Sequence, residues 1–246
     1  MRLAIQTLGV VWLFTTCQTV AQDYFPISVG NQWVFRNRDG NDERLIEILT
    51  ADQGLQVNSN GKGPKRLKNL DSEMVAVYDQ INFRSHFVVR RKGSWYQLAR
   101  IQYKKRKNGM VQSITYIYPA DQFFVPKQMR VEKKWTISGQ PFRRRKVDDE
   151  VLTINFKVVS MENFKVKAGH FRRVLRISEE SEHQRKDRKN TTLGYLWLAP
   201  NIGPVRLKTV NEEVFELVRY SLTLDVKMTD QLLSLHWGSI KKLREK

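Results

Sequence analysis

The sequence predicts an all-β protein: a curled antiparallel sheet, in the form of a half-barrel, partial barrel or sandwich, followed by a short C-terminal helix. Strand-like runs recur at a spacing of about ten residues, with turn residues between them and no long helical pattern to interrupt them. The 246 residues are 41% hydrophobic and 11% aromatic, which is enough for a sizeable core. This composition excludes a disordered chain and a collagen-like chain.

The clearest strands lie between His86 and Tyr118. Three apolar or alternating runs there are separated by the turn residues of 92–94 and by Asn108-Gly109. An Asn-Gly pair between two strand-like runs is a strong hairpin signal, because both residues accept a positive φ angle. The segment therefore predicts three consecutive antiparallel strands.

Two segments of the second half are also predicted as strands. In 152–158 apolar and polar residues alternate, which gives a strand one apolar and one wetter face. The segment 214–224 repeats this pattern, with Glu216 as the exception on its apolar face.

The C-terminal helix is predicted from apolar residues at helical spacing in 232–243, after a cap at Thr229 or Asp230. Gly238 weakens this helix. We interpret it as a plug that covers the core of the sheet. The alternative is an interfacial helix whose apolar face meets lipid while its basic end meets phosphate.

Residues 1–21 have the layout of a cleavable secretory signal. Arg2 gives a positive start, 3–14 is largely apolar, and small or tolerated residues precede a cleavage site after Ala21. The sequence thus predicts an exported protein whose mature chain, 22–246, is a single β-rich domain. No second apolar run approaches the roughly 20 residues that a membrane span needs, so no transmembrane span is expected after cleavage.

The chain has a single cysteine, Cys17, inside this signal. Its removal would leave no thiol, and would exclude disulfides, thiol nucleophiles and cysteine-based zinc sites. The alternative is that Cys17 carries a lipid, although the preceding residues 14–16 match a lipidation signal poorly.

Three segments carry a resemblance to bacterial exported proteins of unknown function. The segment 24–35 (YFPISVGNQWVF) resembles their YFPL-x-x-G-x-x-W opening, 164–171 (FKVKAGHF) their V-x-V-P-A-G-T-F hairpin, and 194–207 (GYLWLAPNIGPVRL) their YWFAPGVGLVK turn. His170 and two residues of the last turn, Asn201 and Pro204, depart from the pattern. The resemblance implies an envelope protein with a curved antiparallel sheet, similar to the half-barrel lipoprotein carriers, and it implies no catalytic residues.

The residues of these motifs also have an architectural interpretation. Proline and glycine shape turns, and tryptophan supplies a large apolar anchor with one N–H that needs a partner. The residues concerned are Tyr24, Phe25, Pro26, Gly30, Trp33, Gly169, Phe171, Trp197, Pro200 and Gly203.

Residues that could carry chemistry are scattered along the sequence. The four histidines, His86, His170, His183 and His236, are far apart and form no metal-binding motif. The sequence therefore predicts no catalytic residues, no cofactor and no metal. An enzyme acting on an acidic glycan would need two carboxylates about 5 to 9.5 Å apart, for which Glu179, Glu180 and Glu182 are the candidates.

Positive charge is the remaining clue. Basic residues outnumber acidic ones by 43 to 25, a net charge of +18, and the mature chain without Arg2 keeps +17. Basic clusters fall largely on predicted turns, so hairpin tips can gather at one rim and attract anions; the alternative is an even spread around the sheet. The candidate contacts for an anionic ligand are Lys104, Lys105, Arg106, Lys107, Arg143, Arg144, Arg145 and Lys146.

These observations predict a non-enzymatic protein of the periplasm, the outer envelope or the extracellular space. We expect it to bind a lipid, an acyl chain or a lipoprotein on a concave sheet face, with anionic lipid head groups at the basic rim. The alternative is a structural or adaptor protein that docks an acidic envelope partner or an anionic glycan. Export and the lack of a recognised motif argue against nucleic acid as a partner.

Overall fold

The structure, a computed structural model, describes residues 23–56, 74–105, 111–119, 121–142, 150–185 and 188–223. In these ranges the chain forms thirteen strands and one short helix, which confirms the all-β prediction. The elements are β1 (Gln32–Asn37), β2 (Glu43–Thr50), α1 (Ala51–Gln56), β3 (Val75–Asp79), β4 (Arg84–Arg91), β5 (Ser94–Lys105), β6 (Val111–Ile117), β7 (Phe123–Val125), β8 (Lys134–Phe142), β9 (Glu150–Val166), β10 (Gly169–Arg185), β11 (Arg188–Ala199), β12 (Gly203–Lys208) and β13 (Val214–Ser221).

Twelve of the strands close into an antiparallel barrel. Their order is β4-β3-β2-β1-β13-β12-β11-β10-β9-β8-β6-β5, and β4 pairs with β5 to complete the ring. The thirteenth strand, β7, lies outside the ring and pairs with β5 next to the end of β6. The prediction of a curled sheet was therefore correct but too coarse. Because β4 pairs with β5, the ring is closed and has no open half-barrel edge.

Irregular pairing in the long strands accompanies this closure. β9 and β10 have 17 residues each, and their ladder shifts register between Phe171 and Val174 and again between Arg176 and Ile177. Bulges of this kind bend a strand and increase its twist, which lets a sheet curve until its edges pair.

The strand connections alternate between two ends of the barrel, since each ring strand is antiparallel to its neighbours. We call the end at which β1 begins the plugged end and the opposite end the rim. The β5–β6, β8–β9 and β10–β11 connections all leave the barrel at the rim.

Aromatic residues fill the plugged end. Phe25, from the segment before β1, lies with its ring centroid 5.6 Å from that of Trp33 and 6.0 Å from that of Phe124. Trp33 is fully buried and its indole N–H donates to the backbone oxygen of Ile202 at 2.6 Å. Gly203 follows with a φ of +98°, and a Cβ there would lie 3.0 Å from the Trp33 ring. The Trp33 indole thus ties the first strand to the β11–β12 turn.

A second apolar layer covers the outside of β3, β4 and β5. Leu55 of α1 is buried in one cluster with Ala76, Phe87 and Ala99, which point away from the barrel interior. Gly54 allows this approach, since a Cβ there would lie 2.2 Å from the Ala76 side chain. The sequence pattern did not indicate this helix.

The predicted C-terminal helix lies outside the described residues, as do the signal segment and Cys17. No helix in the described ranges is both long enough and apolar enough to cross a bilayer.

Candidate functional site

The barrel encloses a cavity of about 290 Å³. This volume is just below the range of roughly 300 to 1,000 Å³ that is typical of small-molecule sites. Side chains of strands on all sides of the ring contribute to its wall, together with residues before β1, around β7 and after β12.

Apolar side chains form much of the wall, from the plugged end up to the level of Asp79. Trp135 and Phe156 stack there with ring centroids 4.9 Å apart and an angle of 12° between the ring planes. The other apolar residues of the wall are Phe25, Ile46, Val77, Phe124, Val125, Met129, Ile177, Leu196, Leu198 and Leu207.

A buried ion cluster forms a polar part of the same wall. Arg84 Nε lies 2.9 Å from Asp79 Oδ2, and its Nη1 and Nη2 donate to the two carboxylate oxygens of Glu179 at 2.6 and 3.1 Å. Asn82 Nδ2 also donates to Asp79, at 2.8 Å. By the shorter route around the ring, four strands separate β4 from β10, namely β5, β6, β8 and β9. The Arg84–Glu179 pair therefore connects strands across the barrel interior.

Charge pairing fixes the ionisation of this cluster. Burial alone would raise the pKa of Glu179, but the positive charge and hydrogen bonds of Arg84 hold it below its usual value. Burial alone would lower the pKa of Arg84, but Glu179 and Asp79 raise it above the usual value. Both side chains are thus charged at neutral pH.

Arg100, on β5, is a second buried cation in the wall. It is 7% exposed, and its Nη2 donates to Gln102 Oε1 at 2.6 Å. Burial, and then the like charge of Arg84, lower its pKa. Its Nε and Nη1 have no hydrogen-bond partner in the described part of the chain.

His86 lies between the polar and apolar parts of the wall. It is 5% exposed, its Nδ1 is 3.2 Å from Gln97 Oε1, and its ring centroid is 4.8 Å from that of Phe124. Burial, followed by the positive charges of Arg84 and Arg100, lowers its pKa well below the ordinary 6.5. The folded protein therefore holds His86 neutral.

This neutral histidine predicts a loss of stability on mild acidification. Below pH 6.5 the unfolded chain binds a proton at residue 86 that the folded protein does not bind, so stability is complete above pH 6.5 and falls as the pH decreases. His86 alone can change the free energy of unfolding by at most about 1.4 kcal/mol per pH unit. Urea unfolding at pH 7, 6 and 5 should show this decrease in the free energy of unfolding, and the decrease should be smaller in His86→Gln. His170→Gln, a change to an exposed side chain, is the matched control, and an equal reduction in both variants would contradict the assignment.

The structure describes only part of the predicted anion-binding residues. Lys104 and Lys105 are the last two residues of β5, where the structure describes the backbone but not their side chains. Arg106, Lys107 and 143–146 lie outside the described ranges. The strand ends that flank these clusters, Lys105 and Phe142, are both at the rim. The residues themselves stay a prediction.

The motif residues occupy architectural positions. Three of the glycines have positive φ angles, +92° at Gly30, +151° at Gly169 and +98° at Gly203, and each lies at a turn or a strand start next to one. Trp197 is 6% exposed, and its indole N–H donates to Glu162 at 2.8 Å. The remaining positions are the buried Tyr24 and Phe25, the half-buried Pro26, Phe171 and Pro200, and the fully buried Trp33.

The carboxylates considered for glycan hydrolysis do not face one another. Glu179 points into the barrel and binds Arg84, whereas Glu180 and Glu182 alternate with it along β10 and share the outer face. The described residues contain no group of three or more His, Cys, Asp or Glu side chains placed to hold a metal ion.

Three polar residues inside the barrel, Asp79, Arg84 and Arg100, were not predicted from the sequence. Strand β4 carries no readable signal, because Phe87 and Val89 on one face are as apolar and as buried as Val88 on the other, and only the fold shows that Arg84 and His86 face inwards. Polar residues at inward positions of a strand indicate an internal network or a site.

Comparison with solved structures finds weak likenesses. A predicted exported protein of Bacteroides fragilis with a YmcC-like fold has 12% identity and a TM-score of 0.32, over 82% of this chain and 100% of that one. A predicted lipoprotein of Parabacteroides distasonis has 14% identity and a TM-score of 0.33, over 82% and 99% of the two chains. Scores this low decide neither fold nor function. No family model and no curated protein matches the chain.

Proposed function

We propose that this protein is a non-enzymatic envelope protein that binds an amphiphilic molecule, with a lipid-like acyl chain, inside its barrel. The observation that carries the proposal is the cavity of about 290 Å³, whose wall combines many apolar side chains with a buried polar cluster. An acyl chain gains by leaving water for the apolar side chains, while a polar head group needs the hydrogen bonds of polar ones.

Three further observations support this proposal. The signal-like residues 1–21 favour export to an envelope where such molecules occur. Both carboxylates that line the cavity, Asp79 and Glu179, are bound by Arg84, so neither is free to act as a catalytic acid or base. The strand ends that flank two basic clusters, 104–107 and 143–146, lie at the rim, where anionic head groups would be attracted, while a third cluster, 90–92, lies at the β4–β5 turn at the plugged end.

Native mass spectrometry tests the proposal on mature protein purified from its own envelope without detergent. We expect a peak heavier than the protein by the mass of one amphiphile, and release of that molecule on unfolding. Ser181→Phe, which places a ring in the cavity, should reduce its occupancy, whereas Ser178→Phe, on the outer face of the same strand, should not. An empty protein, or equal occupancy in both variants, would contradict binding inside the barrel.

A second candidate function is an adaptor that docks an acidic envelope partner. The observation that favours it is the common rim location of the strand ends flanking 106–110, 143–149 and 186–187. In the same experiment, one stoichiometric protein partner without any amphiphile would select this function instead.

A further inference from the structure

Arg100 is the one charged residue of the cavity wall, as far as the structure describes it, without an ion-pair partner or a full set of hydrogen bonds. Its Nη2 donates to Gln102, and the Tyr118 side chain lies near enough to interact with it, but Nε and Nη1 are buried and make no hydrogen bond of normal geometry within the described residues. No described carboxylate lies within 4.0 Å of it, whereas Arg84 has two. Burying a cation in this state is unfavourable, so the side chain is poised for an acceptor that enters the cavity.

The charges around the cavity indicate how much negative charge that acceptor carries. The two carboxylates Asp79 and Glu179 together balance the two cations Arg84 and Arg100, and Lys208 at the edge of the cavity forms an ion pair with Glu212. What Arg100 lacks is therefore hydrogen-bond acceptors, and a head group with one negative charge adds the least charge to this neutral wall while supplying strong acceptors. A doubly charged group would add a second negative charge beside Glu179, which already acts on Arg100.

Two neutral donors add hydrogen-bonding capacity to the wall. The indole N–H of Trp135 and the hydroxyl of Thr209 also line the cavity and have no partner among the described residues. Trp135 additionally offers its ring, stacked on Phe156, as a surface for an apolar chain. The wall thus combines unfilled donors with an apolar surface.

We propose that Arg100 binds the head group of a single-chain amphiphile that carries one negative charge on oxygen. The class includes a fatty-acid carboxylate and the phosphodiester of a lysophospholipid, and the small cavity volume favours one chain over two. This inference rests on the proposed function, because it names the ligand class and the anchoring residue of the same cavity.

Titration calorimetry with defined probes tests the inference on the mature protein after removal of bound molecules by unfolding and refolding. The probes are dodecanoate, dodecan-1-ol as its uncharged match, and 1-lauroyl-lysophosphatidylglycerol for the phosphodiester. The wild-type protein should bind one or both anions and should bind dodecan-1-ol more weakly, by about 10- to 100-fold, the effect of hydrogen bonds to a charged group. The tighter anion identifies the head group.

The variants Arg100→Met and Arg100→Lys distinguish head-group binding by Arg100 from binding of the chain by the rest of the cavity. Arg100→Met should lose about 10- to 100-fold in affinity for the anion and keep its affinity for dodecan-1-ol, while Arg100→Lys should retain most of the anion affinity. Urea unfolding checks that Arg100→Met is folded, because the variant removes a buried cation that has no ion pair but that also acts on Glu179.

The outcomes distinguish this inference from the proposed function. Failure of the wild-type protein to bind any of the three probes would contradict both. Equal anion affinity in the wild type and Arg100→Met would overturn the role of Arg100 and leave the cavity as the binding site. Loss of dodecan-1-ol binding in a folded Arg100→Met protein would also overturn it, because Arg100 would then shape the cavity and not hold the head group.

Discussion

Replacing Arg84 with methionine is expected to destabilise the protein by about 3–5 kcal/mol, the cost of removing one partner from a buried ion pair. Arg84→Met leaves Asp79 and Glu179 buried without their cation. Urea unfolding at pH 7 measures the change. Lys157→Met is the matched control: it breaks a more exposed pair with Glu132, 2.9 Å long, and should cost at most about 1 kcal/mol.

Two further results would follow from the same mechanism. Without Arg84, burial raises the pKa of Glu179, so the loss of stability in Arg84→Met should become smaller as the pH falls and this carboxylate is protonated. The triple variant Asp79→Asn, Arg84→Met, Glu179→Gln should recover much of the loss, since it removes all three charges together. A similar loss in Lys157→Met and Arg84→Met would contradict the account of a cluster that connects opposite walls.

Replacing Trp33 with alanine is expected to cost about 3–5 kcal/mol as well, as for other large buried aromatic residues. Trp33 has no exposed surface, packs against Phe25 and Gly203, and donates its N–H to Ile202 at 2.6 Å. Trp33→Phe keeps much of the ring and loses the hydrogen bond, so its cost should be smaller, about 1–3 kcal/mol. Chemical unfolding of both variants tests whether Trp33→Ala loses more stability than Trp33→Phe.

The Trp33 variants also test the plugged end of the cavity. Phe25 bridges Trp33 and Phe124, and both Phe25 and Phe124 line the cavity. Trp33→Ala should therefore weaken dodecan-1-ol binding in addition to stability. Unchanged stability in Trp33→Ala would show that the indole does not tie β1 to the β11–β12 turn.

Local patterns were sufficient to predict five of the thirteen described strands, β4, β5, β6, β9 and β13. The alternation in 152–158 lies within β9, and the segment 214–224 covers β13. The Asn108-Gly109 signal is flanked by Lys105 and Val111, which pair directly in the β5–β6 ladder. Such patterns are readable because they depend on neighbours within a few residues.

Closure of the barrel and its interior could not be predicted in this way. The β1–β13 ladder joins Gln32 to Ser221, and nothing in either strand specifies the other as its partner. Arg84 and Glu179 are 95 residues apart, and their pairing depends on which strands face each other across the ring. Because both faces of β4 are apolar and buried, its sequence does not show which way Arg84 faces, and only the ring order shows what Arg84 meets.

Fluorescence quenching by 12-bromododecanoate is the most direct test of a chain-binding barrel interior. Trp135 lines the cavity beside Met129 and Phe124, so the bromine of a bound chain would quench it. We predict saturable quenching in the mature protein, competition by dodecanoate, and loss of that component in Trp135→Phe, which keeps an aromatic ring against Phe156. Absence of saturable quenching, or identical quenching in Trp135→Phe, would contradict the central claim that the barrel holds an acyl chain.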